Sequence, residues 1–505
     1  MSHRTGTVYL VGAGPGDPLL ITLRGRNCLR GADVVLFDYL ASPQLLSFAR
    51  PNAELVCLGR HGHGRIWTQD EINDALVSHA RAGRSVVRLK GGDPLVFARA
   101  AEEIAALEAA GVTYEIVPGI TAAQAAGSHA GIPLTHRDDA SCVAFVTGHE
   151  CGDKQPHEEL DYAALAKFPG TLVFYMGITT APIWSQALIA HGKPPATTAA
   201  IVRRCTLPDQ QTIYTTLGEL AQVVEATKLR PPAIVIVGDV ARERDATNWF
   251  TSRPLFGQTV LVTRPELQAT EMADKLRDQG AHAIYQPAIE ISNPRDWEPV
   301  DAVMRQLEKY DWLVFSSSNG VDYFFRRLFS LGFDLRQLGR ARLAAIGPAT
   351  AAALAQYHLR ADVQPAEYRA EALAAEIAPL VRGKRVFLAR ASRGREVLAE
   401  LLTDAGAVVR EAVVYESRDI ATPNEEVLEA LAAGRVDWTT VTSSAIARSL
   451  VAMFGETLQK TRLVAISPLT GETLTELGHP PAATAATYTA DGMIAAILAA
   501  GPRKL

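Results

Sequence analysis

Short β-branched runs alternate with alanine-rich, helix-patterned stretches along the whole chain. The runs are ADVVLF, SVVRLK, YEIVPG, TLVFYMG and AIVIVGD in the first half, then TVLVTR, WLVFSSS, RLAAIG, RVFLAR and LVAISP. Near-continuous apolar strands separated by helical segments predict α/β units whose sheets are covered on both faces. The rhythm breaks at ARERDATNWFTSRPLFG, where charge, two exposed-looking aromatics, a proline and a glycine fall together. The main domain boundary is expected there, near residues 245–256. Beyond it, AIGPATAAAL from Ala345 and AISPLTGETL from Ala465 agree at Ala, Ile, Pro, Thr and Leu, and each follows a serine pair, in FSSSNG and VTSSAI. This echo predicts two similar α/β lobes in the second half; chance likeness of alanine-rich helices is the plainer alternative. YQPAIEI and EAVVYES read as extended connectors between them. The chain would leave one lobe, build the other and return, so that a substrate lies in a cleft that hinge closure can grip.

The 505 residues, 48% hydrophobic and 21% charged, are enough for three or four domains of ordinary soluble-enzyme composition. A net charge of −5 without a basic stripe argues against a nucleic-acid partner, while an anionic small molecule stays open. Five cysteines with no C-x-x-C fit reduced thiols in a cytoplasm better than a disulfide framework. No apolar run approaches the roughly 18 residues of a membrane span, and the first run passes into a glycine loop with no leader-type cleavage site.

That loop, VYLVGAGPGDPLL, invites comparison with a dinucleotide fingerprint. Gly12, Gly14 and Gly16 are followed by Asp17, whose carboxylate would repel a phosphate where a third fingerprint glycine belongs. Pro15 and Pro18 remove two amides that could bind one. Asp38, ending ADVVLFD, is the one feature that suits a ribose. The bend is therefore expected to admit close backbone approach by something other than a phosphate.

GAGPGD, the acid of LFDYL, VVRLKGGDPLVF, VPGITAAQAAGSHAGIPLTHR, VFYMG and PAIVIVGDV occur in this order. With them, residues 1–248 resemble the uroporphyrinogen-III C-methyltransferases of the tetrapyrrole methylase family. The resemblance implies a two-lobed α/β fold, S-adenosylmethionine folded into the cleft, and a homodimer. It implies cofactor contacts at Pro15, Gly91, Gly92, Asp93, Val96, Thr121, Ala122, Met176 and Cys205. Asp38 takes the place of the family's proton acceptor; a helix cap is its plainer role. Arg60 stands where the family has a lysine proton donor. A guanidinium stays protonated, so Arg60 binds and orients anions, and His61 or His63 is the imidazole that can serve as acid. His-x-His is read as a polar loop with no metal, since no further ligand follows at a usual spacing. In VRRCT, Cys205 places a side chain where backbone is expected to meet the nucleoside, and Arg203 and Arg204 reverse the local charge.

The order VFSSSNGV, AAIGPAT, EYRAEAL, RVFLARASRGREVL, VVYES, TVTSSAIA and TADGMI resembles uroporphyrinogen-III synthase over residues 255–505. Lobe one is expected at 255–287 plus 417–505 and lobe two at 288–416. That family closes hydroxymethylbilane while inverting its last ring, a task of conformation more than of acid or base. Ser317, Ser318, Asn319, Thr350, Ser443, Ser444 and Thr470 fall at strand ends or helix starts, suited to substrate carboxylates or simply to N-capping. Tyr415 matches the family's cleft tyrosine and could assist departure of hydroxide; Arg390, Arg393 and Arg395 are candidate carboxylate partners.

The joint expectation is a cytoplasmic bifunctional enzyme that makes uroporphyrinogen III and methylates it twice to precorrin-2, for sirohaem or cobalamin, with no nucleic-acid or membrane partner. The rival is a working synthase carrying an impaired, tetrapyrrole-binding methylase-like half.

Overall fold

A computed structural model describes residues 5–59, 65–149, 160–243, 248–393 and 397–501. The chain divides into two units, Met1–Gly257 and Gln258–Leu505.

The first unit opens with β1 (Val8–Gly12), α1 (Leu23–Gly31), β2 (Val34–Phe37), β3 (Glu54–Cys57), α2 (Gln69–Arg81), β4 (Val86–Lys90), α3 (Ala100–Ala109) and β5 (Tyr114–Val117). These strands form an all-parallel sheet in the order β3-β2-β4-β1-β5. Valine and leucine fill both of its faces, as a parallel sheet packed between helices requires. After α4 (Ala122–Ala130) come β6 (Val143–Thr147), α5 (Tyr162–Ala166), β7 (Thr171–Tyr175), α6 (Ala181–Ala190), β8 (Thr198–Arg203), β9 (Gln211–Thr216), α7 (Leu220–Thr227) and β10 (Ala233–Val237). Their sheet runs β6-β7-β10-β8-β9 and is mixed, with β10 antiparallel to both neighbours. Trp184 on α6 stacks on Phe174 of β7 at 3.8 Å and anchors the helix to it.

The second unit begins with β11 (Thr259–Val262), α8 (Glu266–Asp278), β12 (His282–Tyr285), β13 (Ile289–Ser292), α9 (Glu298–Met304), β14 (Trp312–Phe315), α10 (Ser318–Ser330), β15 (Arg342–Ala345) and α11 (Pro348–Gln356). It continues with α12 (Ala370–Val381), β16 (Arg385–Ala391), α13 (Val397–Asp404) and the long β17 (Val408–Asp419). It ends with α14 (Glu425–Ala432), β18 (Trp438–Val441), α15 (Ser444–Phe454), β19 (Arg462–Ala465), α16 (Pro468–Glu476), β20 (Ala483–Thr484) and α17 (Ala490–Ala500). One sheet is β12-β11-β18-β19-β20, the other β13-β17-β16-β14-β15. In the latter β13 is antiparallel to the end of β17, so the connectors pair with each other as they pass between lobes.

The echo seen in the sequence is structural. Trp312 opposite Arg342 in one sheet corresponds to Trp438 opposite Arg462 in the other, and each guanidinium lies over its indole, at 4.4 Å and 3.9 Å. Ser317 and Ser443 cap α10 and α15 in the same way. Tyr368 and Tyr488, each just ahead of the last helix of its repeat, meet edge to face at 5.7 Å.

The break at 245–256 is no free linker where it is described. Trp249 Nε1 donates to Ser128 O at 2.9 Å and Asn248 Nδ2 to His129 O at 2.9 Å, both on α4. Arg253 lies over the Trp249 ring, and Gly257 N reaches Pro208 O. Phe250, expected exposed, is buried because His129 and Phe256 close on it edge-on. Trp249→Ala should therefore destabilise the first unit by about 2 kcal/mol, less than a full core truncation because the ring is half exposed. A lowered urea midpoint for that unit, with the second unit's transition unmoved, is the measurement.

Candidate active sites

Because the first sheet is all parallel, the loops after β1, β2, β4 and β5 gather at one edge, where ligand sites of such sheets form. They carry Pro15, Asp38, Gly91 to Val96, and Thr121 with Ala122. Three of them touch backbone to backbone. Gly14 N donates to Gly92 O at 3.2 Å and Gly92 N to Gly14 O at 2.8 Å. A Cβ on Gly119 would stand 2.2 Å from Gly92 O, and one on Gly12 would stand 2.5 Å from the Gly119 Cα, so only bare backbone fits. Asp93 braces the contact: its Oδ2 accepts from Gly119 N at 3.0 Å and its Oδ1 from Leu95 N at 2.8 Å.

The amides of the first bend are largely committed. Ala13 N goes to Lys90 O, Gly14 N to Gly92 O, and Asp17 N to Thr206 Oγ1, while the Asp17 carboxylate accepts from Leu19 N. With prolines at 15 and 18, the bend offers no array of donors to a phosphate. A Cβ on Gly92 would lie 3.9 Å from Ala122 N and Thr121 Cα, in the space between this loop and the start of α4. That cradle suits a ligand that approaches backbone closely.

The second sheet adds Tyr175, a residue the sequence reading passed over. Thr121 does not cap α4; its hydroxyl shares a 2.6 Å hydrogen bond with Tyr175 OH, which accepts from Ala123 N at 2.9 Å. A tyrosine from β7 thus caps a helix that leaves the first sheet. Burial pushes its pKa up, so the hydroxyl keeps its proton. Met176, next to it, is half exposed and left-handed at φ 53°. Phe97, Arg99, Arg204 and Thr206 are left-handed as well, and such strain in non-glycine residues collects at ligand sites. Val96 packs at the margin of the same core cluster. Cys205, between two left-handed residues, turns its thiol inward, 3.9 Å from Ala122 O. Burial pushes that thiol up to about 12.

Asp38, at the end of β2, is bound to Arg88 at 2.6 Å, and Arg88 in turn meets the fully buried Glu103 at 3.0 Å. Lys90 completes the group, 2.7 Å from the same Glu103 oxygen. Arg-x-Lys inside a central parallel strand was the signal: two buried cations there demand carboxylates. Arg60, His61 and His63 lie outside the described residues. No group of three His, Cys, Asp or Glu side chains able to hold a metal occurs among the described residues, and no described helix is long and apolar enough to cross a membrane.

In the second unit, Tyr415 on β17 is almost wholly buried, and its hydroxyl lies 3.1 Å from Ser317 Oγ, which accepts from Gly320 N to cap α10. Burial pushes its pKa up, so a neutral hydroxyl stands beside a helix N-terminus. Ser443 caps α15, Ser444 Oγ is 2.8 Å from Thr473 Oγ1, and Thr470 is buried against Ser467. Thr350 is buried on the first turn of α11. Of the arginines proposed for carboxylates, Arg390 pairs with Glu411 and Arg393 with Asp419, while Arg395 lies outside the described residues.

Two α/β units, each gathering polar groups at the ends of parallel strands, define a two-part enzyme. A model of the tetrapyrrole (corrin/porphyrin) methylases matches residues 7–221, and one of uroporphyrinogen-III synthase HemD matches residues 270–495. The chain is 34% identical over 453 residues to the porphyrin biosynthesis protein HemD of Ruminiclostridium josui, covering 90% of this chain and 89% of that one. It is 41% identical over 346 residues to a uroporphyrinogen-III C-methyltransferase of Bacillus subtilis, covering 68% and 70%. Among solved structures, the uroporphyrin III C-methyltransferase of Thermus thermophilus is 39% identical, covering 48% of this chain and 97% of that one with a TM-score of 0.41. The chain belongs to the family that joins a tetrapyrrole methylase to a uroporphyrinogen-III synthase HemD.

Gly119→Ala should destabilise the first unit by about 1–3 kcal/mol, because the added methyl meets backbone that cannot move aside; urea denaturation checks it. The thiolate is the form that attacks alkylating reagents, so with a pKa of about 12 Cys205 should stay unmodified by iodoacetamide in native protein at pH 8. Exposed Cys57 should react, as peptide mass spectrometry would show.

Proposed function

We propose that the second unit closes hydroxymethylbilane to uroporphyrinogen III and the first methylates that product twice, giving precorrin-2 for a sirohaem or cobalamin pathway. The observation that carries the methylase reading is the Cβ-free meeting of three loops beside Asp38. S-adenosylmethionine, when bound, supplies the methyl group from a sulfonium that becomes a neutral thioether. Gly91, Gly92, Thr121, Ala122 and Met176 would hold it, with Pro15, Val96 and the backbone at Cys205 bounding the cradle. As the new C–CH₃ bond forms, the porphyrinogen must lose a proton, and the Asp38 carboxylate takes it. In the second unit, the neutral Tyr415 hydroxyl donates toward the departing hydroxide, and the helix starts at Ser318, Thr350 and Ser444 hold the chain so that the substituted carbon is attacked. The Cys205 thiol is buried 3.9 Å from Ala122 O, which supports a reading in which backbone bounds the cradle there.

The full-length protein should convert hydroxymethylbilane to isomer III alone, and to labelled precorrin-2 when methyl-labelled S-adenosylmethionine is added. Isomer III without label would overturn the methylase reading, and isomer I alone the synthase reading. Asp38→Asn should lower methyl transfer by about a hundredfold or more while leaving isomer III formation intact. Tyr415→Phe should do the reverse, slowing only ring closure.

A further inference from the structure

The first sheet buries charge in a place where a parallel sheet normally has only apolar side chains. Arg88 and Lys90 sit on the same face of central strand β4, two residues apart, with side chains 4% and 2% exposed. The carboxylate between them is Glu103 on α3, which is fully buried. Its Oε1 accepts from both Arg88 Nε at 3.0 Å and Lys90 Nζ at 2.7 Å, while Oε2 is buried with no partner among the described residues. Arg88 also gives one bond to the Leu89 carbonyl and extends its remaining nitrogen, Nη2, to Asp38 at 2.6 Å. Asp38 alone of the four reaches solvent, one third exposed.

Two cations and two carboxylates balance only when Asp38 is counted. A buried ion pair is weak evidence for stability, since apolar residues of similar volume would serve as well or better. The arrangement therefore calls for another reason, and its direction supplies one. The guanidinium is planar and rigid, so fixing Nε on Glu103 fixes where Nη2 points. Burial, and then the neighbouring Arg88, pull the Lys90 pKa down, so its charge depends on the Glu103 carboxylate beside it.

Resting on the reading of Asp38 as the proton acceptor, we propose that Glu103, acting through Arg88, is the positioning residue that aims the Asp38 carboxylate at the methylated substrate. Glu103 is bonded neither to Asp38 nor, on this proposal, to substrate; it sets the orientation of the guanidinium, and the guanidinium holds Oδ1 of Asp38 so that Oδ2 is the oxygen that receives the proton.

The test uses the full-length protein. In the double variant Lys90→Met with Glu103→Met the buried pair and the oxygen that accepts from Arg88 Nε are removed together, so charge balance is kept and Arg88 with Asp38 remains. It should keep its thermal midpoint within a few degrees and bind S-adenosylmethionine with unchanged affinity, while kcat for methyl transfer falls on the order of a hundredfold with little change in KM. Arg88→Lys, which keeps the charge but lacks the fork, should be comparably slow. Either change added to Asp38→Asn should cost nothing further. Full kcat in the folded double variant would overturn the proposal and leave the quartet purely structural. If instead Asp38→Asn itself transfers methyl normally, the reading of Asp38 fails, whatever the double variant does. A double variant that unfolds shifts the decision to Arg88→Lys, where kcat equal to that of the unaltered protein counts against the proposal.

Discussion

Most of the first unit is arranged around a contact that tolerates no side chain. Gly12, Gly92 and Gly119 bring the ends of β1, β4 and β5 so close that a methyl group on the last would lie 2.2 Å from a carbonyl oxygen, well inside van der Waals contact. This contact fixes the level at which three parallel strands end and therefore the floor of the candidate site. It also consumes the amides that would make a phosphate cradle, so the geometry that welcomes close backbone approach is the one that disfavours a dinucleotide. The second sheet is tied to that floor by polar contacts, Asp17 N to Thr206 and Tyr175 to Thr121 and Ala123, and three residues at or beside these tethers, Met176, Arg204 and Thr206, are left-handed.

What could be read from the chain in advance was what depends on local periodicity. The apolar runs mark the strands, and the likeness of AIGPAT and AISPLT marks corresponding turns that lead from β15 to α11 and from β19 to α16. Glycine loops and Asp38 were legible because backbone approach and strand-end acids leave a pattern in residue type. The antiparallel placement of β10 was not, because its run AIVIVGD looks the same in either direction. Nor was the quartet at Asp38, whose members are separated by up to sixty-five positions and are joined only when α3 packs on the sheet. Phe250 misled for the related reason that an aromatic beside charges in sequence says little about what covers it in space. The serines of the second half show a further limit: Ser317 and Ser443 sit at helix starts for capping, a role that residue type alone does not separate from ligand binding.

The two lobes of the second unit repeat one another with the chain entering at a different point. In one, β18, β19 and β20 line up beside β11 and β12; in the other, β14, β15 and a short bridge at Val363 line up beside β16 and β17. The pair that comes first in one lobe comes last in the other, which explains why the chain must leave the first lobe after β12 and return by β17. Repetition of the Trp–Arg pair and the serine cap shows that the same local solution was used twice. Tyr368 and Tyr488 are equivalent residues in the two repeats, so their contact joins the lobes at matching places.

The two units place their polar groups in ways that suit different chemical difficulties. The first unit backs the Asp38 carboxylate with buried, mutually balanced charge, which under the proposed function suits a methyl transfer that must be followed by loss of a proton. The second unit presents neutral hydroxyls and helix starts, with Arg390 and Arg393 already matched to carboxylates of their own, which under the proposed function suits a ring closure that needs shape above all. Tyr415 belongs to that pattern: it is buried, protonated and bonded to a cap serine, so under the proposed function it would polarise a leaving oxygen without adding a charge beside the substrate's carboxylates.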